Sequence, residues 1–95
     1  MDYLLKVQRA KYLDDYKIYC LFSNSIEKIV DLKDELHGEM FKPLKDKNIF
    51  KQFRVDKLLK TVIWPNGADL APYSLYYIGK TIRKKRRAKS KVNGE

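Results

Sequence analysis

The apolar positions of this chain follow two rhythms, and the change between them divides it. From Lys17 to Phe22 they alternate: Ile18, Cys20 and Phe22 point one way, Lys17, Tyr19 and Leu21 the other, as in a strand with one covered face. Residues 3–12, rich in Leu, Val and Tyr with Lys and Arg between them, predict a half-exposed strand ahead of it, and Asp14-Asp15 supplies the turn. Ser23-Asn24-Ser25 makes a second turn, and Ile26 to Val30 reads as a third strand. Three strands on short loops are most simply an antiparallel meander.

Asp31 changes the rhythm. Its carboxylate can accept backbone N–H bonds as a helix N-cap, with Asp34 three residues on as a capping-box partner. Leu32 and Leu36, at i and i+4, share the face this helix turns to the sheet, and Gly38 is a natural left-handed stop. Pro43 breaks the chain again before Asp46, a second N-cap, opens a helix whose apolar stripe is Ile49, Phe50 and Phe53. Arg54 to Asp56 and Leu59 to Trp64 predict a strand pair turned near Asp56-Lys57. Pro65-Asn66-Gly67 ends it, because proline removes a ladder donor and Asn-Gly accepts positive φ. Pro72 fits the first turn of a last helix, on which Leu75, Ile78 and Ile82 form a stripe interrupted by Gly79. The expected fold class is α+β: a small antiparallel sheet of about five strands, two or three short helices and a basic C-terminal tail.

Charge sharpens this picture. Residues 80–95 carry Lys80, Arg83, Lys84, Lys85, Arg86, Arg87, Lys89 and Lys91 against one acid, Glu95. Residues 1–79 hold thirteen Lys and Arg against eleven Asp and Glu, so most of the net +9 sits in one terminal run. The expected organisation is a compact α+β domain over 1–79 and a basic tail over 80–95, either a helical extension or disordered. Past Ile82 only Val92 is bulky and apolar, too little burial to offset the entropy of ordering. Concentrated positive charge draws polyanions by Coulomb attraction and counterion release. The eight cations are therefore the candidate nucleic-acid-binding residues, for DNA or RNA, the arginines giving bidentate phosphate contacts and the lysines point charge. The run holds no base-reading element, so any specificity comes from the domain or a partner. Its competing readings are contact with an anionic protein surface and a solvated tail that aids solubility. Membrane attachment is disfavoured, because the run lacks the aromatic or leucine face of an interfacial helix.

Length and composition set further bounds. Ninety-five residues allow one domain with one modest core, for which twelve aromatics are ample. A single cysteine excludes an internal disulfide framework and suits a reducing cytosol. No apolar run is long enough to span a membrane, and the N-terminus lacks a signal-peptide pattern, so a cytoplasmic location is expected.

The residue inventory argues against catalysis. Cys20 falls on the same strand face as Ile18 and Phe22, which suits a buried structural thiol better than a nucleophile. His37 lies near Asp34, Glu35 and Glu39, but a lone histidine with no second His or Cys nearby offers too few ligands for zinc. The four glycines are scattered and build no phosphate-cradling loop. No catalytic residue, metal site or cofactor is expected. In Trp64-Pro65-Asn66-Gly67-Ala68-Asp69, loop architecture outweighs a recognition role. Trp64 is expected in the core, Gly67 to meet a backbone demand and Asp69 to bond loop amides.

Two stretches carry a family resemblance: Val30-Asp31-Leu32 leading to Phe41-Lys42-Pro43-Leu44-Lys45-Asp46 and Phe50, and Val62-Ile63-Trp64-Pro65-Asn66-Gly67-Ala68-Asp69-Leu70-Ala71-Pro72 with Leu75-Tyr76. Over roughly residues 5–77 the chain resembles the small bacterial family known as domain of unknown function 2442, and the Trp-Pro-Asn-Gly-Ala-Asp-Leu block is the most specific part. The resemblance implies a compact α+β domain, often encoded beside a small partner protein in what look like toxin–antitoxin pairs. Some members add a helix-turn-helix, for which this chain is too short; it has the basic run instead. It departs from the family at Ser23-Asn24-Ser25, where an Asp-Gly turn is usual, and at Tyr73, a position commonly acidic. The family has no established catalytic residues to carry over.

The expected function is that of a non-enzymatic, antitoxin-like binding and regulatory module. It would dock a protein partner and contact nucleic acid through the basic run. The alternative is a pure protein-binding inhibitor, an antitoxin or a phage-type blocker of a nucleic-acid-processing complex, whose tail fills an acidic groove. A small nuclease or other hydrolase is the third reading, and the inventory opposes it.

Overall fold

Both turns expected in the first third of the chain close hairpins. The structure is a computed structural model that describes residues 4–84. Its elements are β1 (Val7–Asp14), β2 (Lys17–Phe22), β3 (Ile26–Asp31), α1 (Lys47–Phe50), β4 (Arg54–Val55), β5 (Val62–Ile63), α2 (Pro72–Ile78) and β6 (Lys80–Lys84), with 3-10 turns at Lys33–Glu35 and Lys42–Lys45. Strands β1, β2, β3 and β6 form one antiparallel sheet in that order, and β4 pairs with β5 in a separate two-stranded ladder. The fold is α+β, as the patterning predicts.

Asp15 and Ser25 stand at the meander's two turns with φ of 48° and 71°. In the second turn the Ser25 amide donates to the Phe22 carbonyl at 2.9 Å and the Ile26 amide to Asn24 Oδ1 at 3.1 Å, so the turn satisfies its own donors. The alternation in β2 has the predicted consequence: Ile18, Cys20 and Phe22 are fully buried on the inner face, beside Val30 of β3.

Four expectations are corrected beyond that point. Asp31 ends β3, and although its Oδ1 accepts the Lys33 amide at 3.1 Å, the chain then makes one 3-10 turn rather than a capped α-helix. Leu32 and Leu36 still bury, one on each side of that turn. Of the expected strand Leu59–Trp64 only Val62–Ile63 pairs with β4, because Asp56 builds a longer turn: its Oδ2 accepts the amides of Leu58 (2.9 Å) and Leu59 (2.8 Å). The Leu59 amide above all holds the Asp56 carboxyl below its ordinary 3.8, so the turn keeps this support above that pH and loses it as pH falls through the lowered value.

The third correction concerns the last helix, which stops at Ile78. Gly79 is extended (φ −71°, ψ 155°), and Lys80–Lys84 continues as strand β6 along β3 instead of carrying Ile82 onto a helical stripe. The first five residues of the segment expected as a tail are thus part of the sheet. Gly79 is needed because the chain here runs hard against β3. A Cβ at this position would lie 3.0 Å from both the Leu75 carbonyl oxygen and Val30 Cγ2, and 3.1 Å from Lys28 Cβ. Gly79→Ala is expected to destabilise the domain by about 1–3 kcal/mol through overpacking, read as a lowered urea midpoint with an unchanged m-value.

Trp64 is the centre of the core beneath the sheet, 2% exposed, as the loop-architecture reading requires. Its ring lies 5.8 Å from Phe50, 6.1 Å from Phe53 and 6.2 Å from Phe41, and its Nε1–H donates to the Phe50 carbonyl at 2.7 Å. Phe50 arrives there because Asp46 caps α1 through the Asn48 amide (2.9 Å), as predicted. The turn after Trp64 stands on Gly67 at φ +91°, a region costly for any residue with a Cβ. Asn66, not Asp69, bonds the loop amides: its Oδ1 accepts the Ala68 N–H at 3.0 Å and its Nδ2 donates to the Met40 carbonyl at 2.9 Å.

Candidate nucleic-acid interface

Of the eight predicted cations, three fall within the described residues, and all three are on β6: Lys80 registers against Ile29 of β3, Arg83 against Glu27 and Lys84 against Ile26. Lys85, Arg86, Arg87, Lys89 and Lys91 lie outside the described residues. A register shift between Glu27 and Lys28 leaves Ile82 as the extra residue of a β-bulge.

The outer face of the sheet, opposite the core, was not singled out by sequence reasoning. Because strand residues alternate, this face collects Arg9 and Lys11 from β1, Lys17 and Tyr19 from β2, Ile29 from β3, and Lys80 and Ile82 from β6. Pairing sets one transverse row in which Lys11 opposes Tyr19, Tyr19 opposes Ile29 and Ile29 opposes Lys80. A cation therefore stands on each outer strand with an aromatic and an aliphatic side chain between. Two depressions of about 360 and 300 Å³ share Ile29 and Ile82, the first bordered by Arg9, Lys11, Leu13 and Tyr19, the second by Lys17, Asp31, Ile78 and Lys80. Both open to solvent, with Leu13 41% and Ile82 52% exposed. The acids on this face are Asp14 of β1, opposite Lys17, and Glu27 and Asp31 of β3; Glu27 Oε2 accepts the Tyr19 hydroxyl at 2.7 Å and Asp31 Oδ1 accepts the Lys33 amide.

A second surface lies at the end of α2, where Leu4, Leu5, Tyr73, Tyr76 and Tyr77 line a cleft of about 510 Å³. Tyr77 is 92% exposed there. Tyr76 is fixed from below by the buried Lys28, whose Nζ lies 3.7 Å from the ring centroid and donates to the Tyr76 carbonyl at 2.6 Å near the helix C-terminus.

His37 is exposed, just past the first 3-10 turn. Among the described residues no group of three or more His, Cys, Asp and Glu side chains could hold a metal ion. Cys20 is fully buried, and burial pushes its thiol up to about 12. A thiol reagent at mildly alkaline pH is accordingly expected to leave the native chain unlabelled and to modify Cys20 fully in denaturant; fast native labelling would contradict its placement.

These features define a small α+β domain with an open, cation-rimmed sheet face. The chain belongs to the family described as Protein of unknown function (DUF2442), which it matches over residues 7–81. The match runs from the first residue of β1 into β6, so the fourth strand starts within the family's domain while the cations from Arg83 onward lie past it. No curated protein and no solved structure matches the chain. Among the described residues no helix is long and apolar enough to cross a membrane.

Proposed function

We propose that this chain is a non-enzymatic, antitoxin-like binding and regulatory module that docks a protein partner and contacts DNA or RNA through Lys80, Arg83, Lys84, Lys85, Arg86, Arg87, Lys89 and Lys91. The observation that carries this reading is the placement of charge: eight cations against one acid in the last sixteen residues, beside a nearly balanced domain. The rooting of the run in β6 supports it further. A cationic segment that starts on a sheet strand holds its first charges at defined positions, so less ordering entropy opposes phosphate contact. The resemblance, which implies members often encoded beside a small partner protein, supports the regulatory part.

The second reading is a pure protein-binding inhibitor. The exposed tyrosines at the end of α2 favour it, since tyrosine is enriched where proteins meet. The two separate in one comparison of the full chain with a variant carrying glutamine at all eight positions. At about 50 mM salt, where phosphate contacts are strongest, wild-type binding to DNA or RNA that the variant loses supports the first reading. Absence of nucleic-acid affinity in the wild type, with a captured protein partner still inhibited, supports the second.

A further inference from the structure

We infer that the outer face of the β1–β2–β3–β6 sheet is a platform for single-stranded nucleic acid, with Tyr19 and Ile29 receiving bases and Arg9 and Lys11 holding phosphates along the β1 rim. This deepens the nucleic-acid reading above and rests on it.

The row across the sheet supplies the chemistry. Lys11, Tyr19, Ile29 and Lys80 are consecutive register partners, so the apolar pair lies between two cations. Unpaired bases stack on aromatic side chains while their phosphates seek cations, and this arrangement offers both within one strand spacing. Arg9, two residues along β1 from Lys11, continues the cationic rim on the same face. The hydroxyl of Tyr19 is held by Glu27 at 2.7 Å, which restricts the ring before any ligand arrives.

Shape argues against a duplex read through its major groove. Four strands spaced about 4.8 Å apart span ~14 Å between their outer axes, before side chains are counted. The major groove is ~12 Å wide and admits a two-stranded ribbon, whereas the open faces of unpaired bases can lie on a broad sheet. Charge argues against a neutral protein surface: Arg9, Lys11, Lys17 and Lys80 outnumber Asp31 around the apolar centre, and further cations follow Ile82 in the sequence. A polyanion matches that distribution along its whole length.

The test uses the full chain and fluorescence anisotropy with a ~12-nucleotide oligo-dT or oligo-U strand and a mixed-sequence duplex of the same length. Tyr19→Leu keeps apolar volume and removes the ring. It is expected to weaken single-strand binding about tenfold and leave duplex binding unchanged, while Tyr19→Phe, which keeps the ring and loses only the Glu27 contact, falls between Tyr19→Leu and the wild type. Arg9→Gln with Lys11→Gln lowers the single-strand salt slope by about 1.4, and this pair carries the test if Tyr19→Leu fails to fold by circular dichroism. Single-strand binding unaffected by the Tyr19→Leu and the paired substitutions, or weakened equally for duplex, overturns the platform. If the eight-glutamine variant alone loses binding, the basic-run reading stands and the platform falls. If the wild type binds neither form, both fall. Binding of a poly-glutamate peptide to this face in place of nucleic acid also overturns it.

Discussion

Trp64→Ala is expected to remove about 3–5 kcal/mol of stability, half or more of what a domain of this size holds. The ring is 2% exposed and meets Phe41, Phe50 and Phe53, each with centroids within 6.2 Å, so truncation opens a cavity lined by three aromatics that cannot all close inward. It also strips the Phe50 carbonyl of its 2.7 Å partner in a buried setting, which adds about 1 kcal/mol. Trp64→Phe helps separate the two contributions, since it keeps an aromatic ring in the core while losing the N–H and part of the indole volume. Its expected cost is about 1–3 kcal/mol. Urea midpoints of the two variants measure both. A loss under about 1 kcal/mol for the alanine variant would show that the indole is not the centre of this core.

The second large effect concerns salt. If the basic run neutralises about six phosphates, duplex affinity drops roughly a thousandfold between about 50 and 200 mM salt, and log K falls linearly with log salt. In the eight-glutamine variant that slope is expected to collapse to what the remaining domain cations supply, with the loss uniform across sequences because no base contact is removed. Titrations at four or more salt concentrations yield the slope directly. Affinity that barely moves with salt, or a slope unchanged by the substitutions, would sink the phosphate-contact reading.

Much of the fold was legible from residue order, for identifiable reasons. Strands β2 and β3 could be read because alternation and turn residues are local signals, and Ser23-Asn24-Ser25 left little choice of connection. The Asp46 cap and the burial of Trp64 were legible on the same terms. Strand β6 was not. Lys-Thr-Ile-Arg-Lys has one large apolar residue, and its pairing with β3 joins segments about fifty residues apart, so nothing nearby announces it. Asp31 did accept a backbone amide, yet one turn formed because His37 and Gly38 come too soon for a longer helix. Leu59 suggested strand but is exposed, since Asp56 draws its amide, with that of Leu58, into a turn. The cations of the run were plain in the composition. The sheet face was not, because Lys11, Tyr19, Ile29 and Lys80 become neighbours only through register across four strands.

The bulge at Ile82 has a consequence for the molecule's life in a crowded solution. Among the described residues strand β6 is the last of the sheet on its side, and an end strand invites other chains to add on and grow fibrils. Here an approaching strand finds the hydrogen-bonding repeat interrupted at Ile82 and a lysine at Lys80. Like-charged copies repel along the very edge where they would otherwise join, so the residues that invite a polyanion also discourage self-assembly.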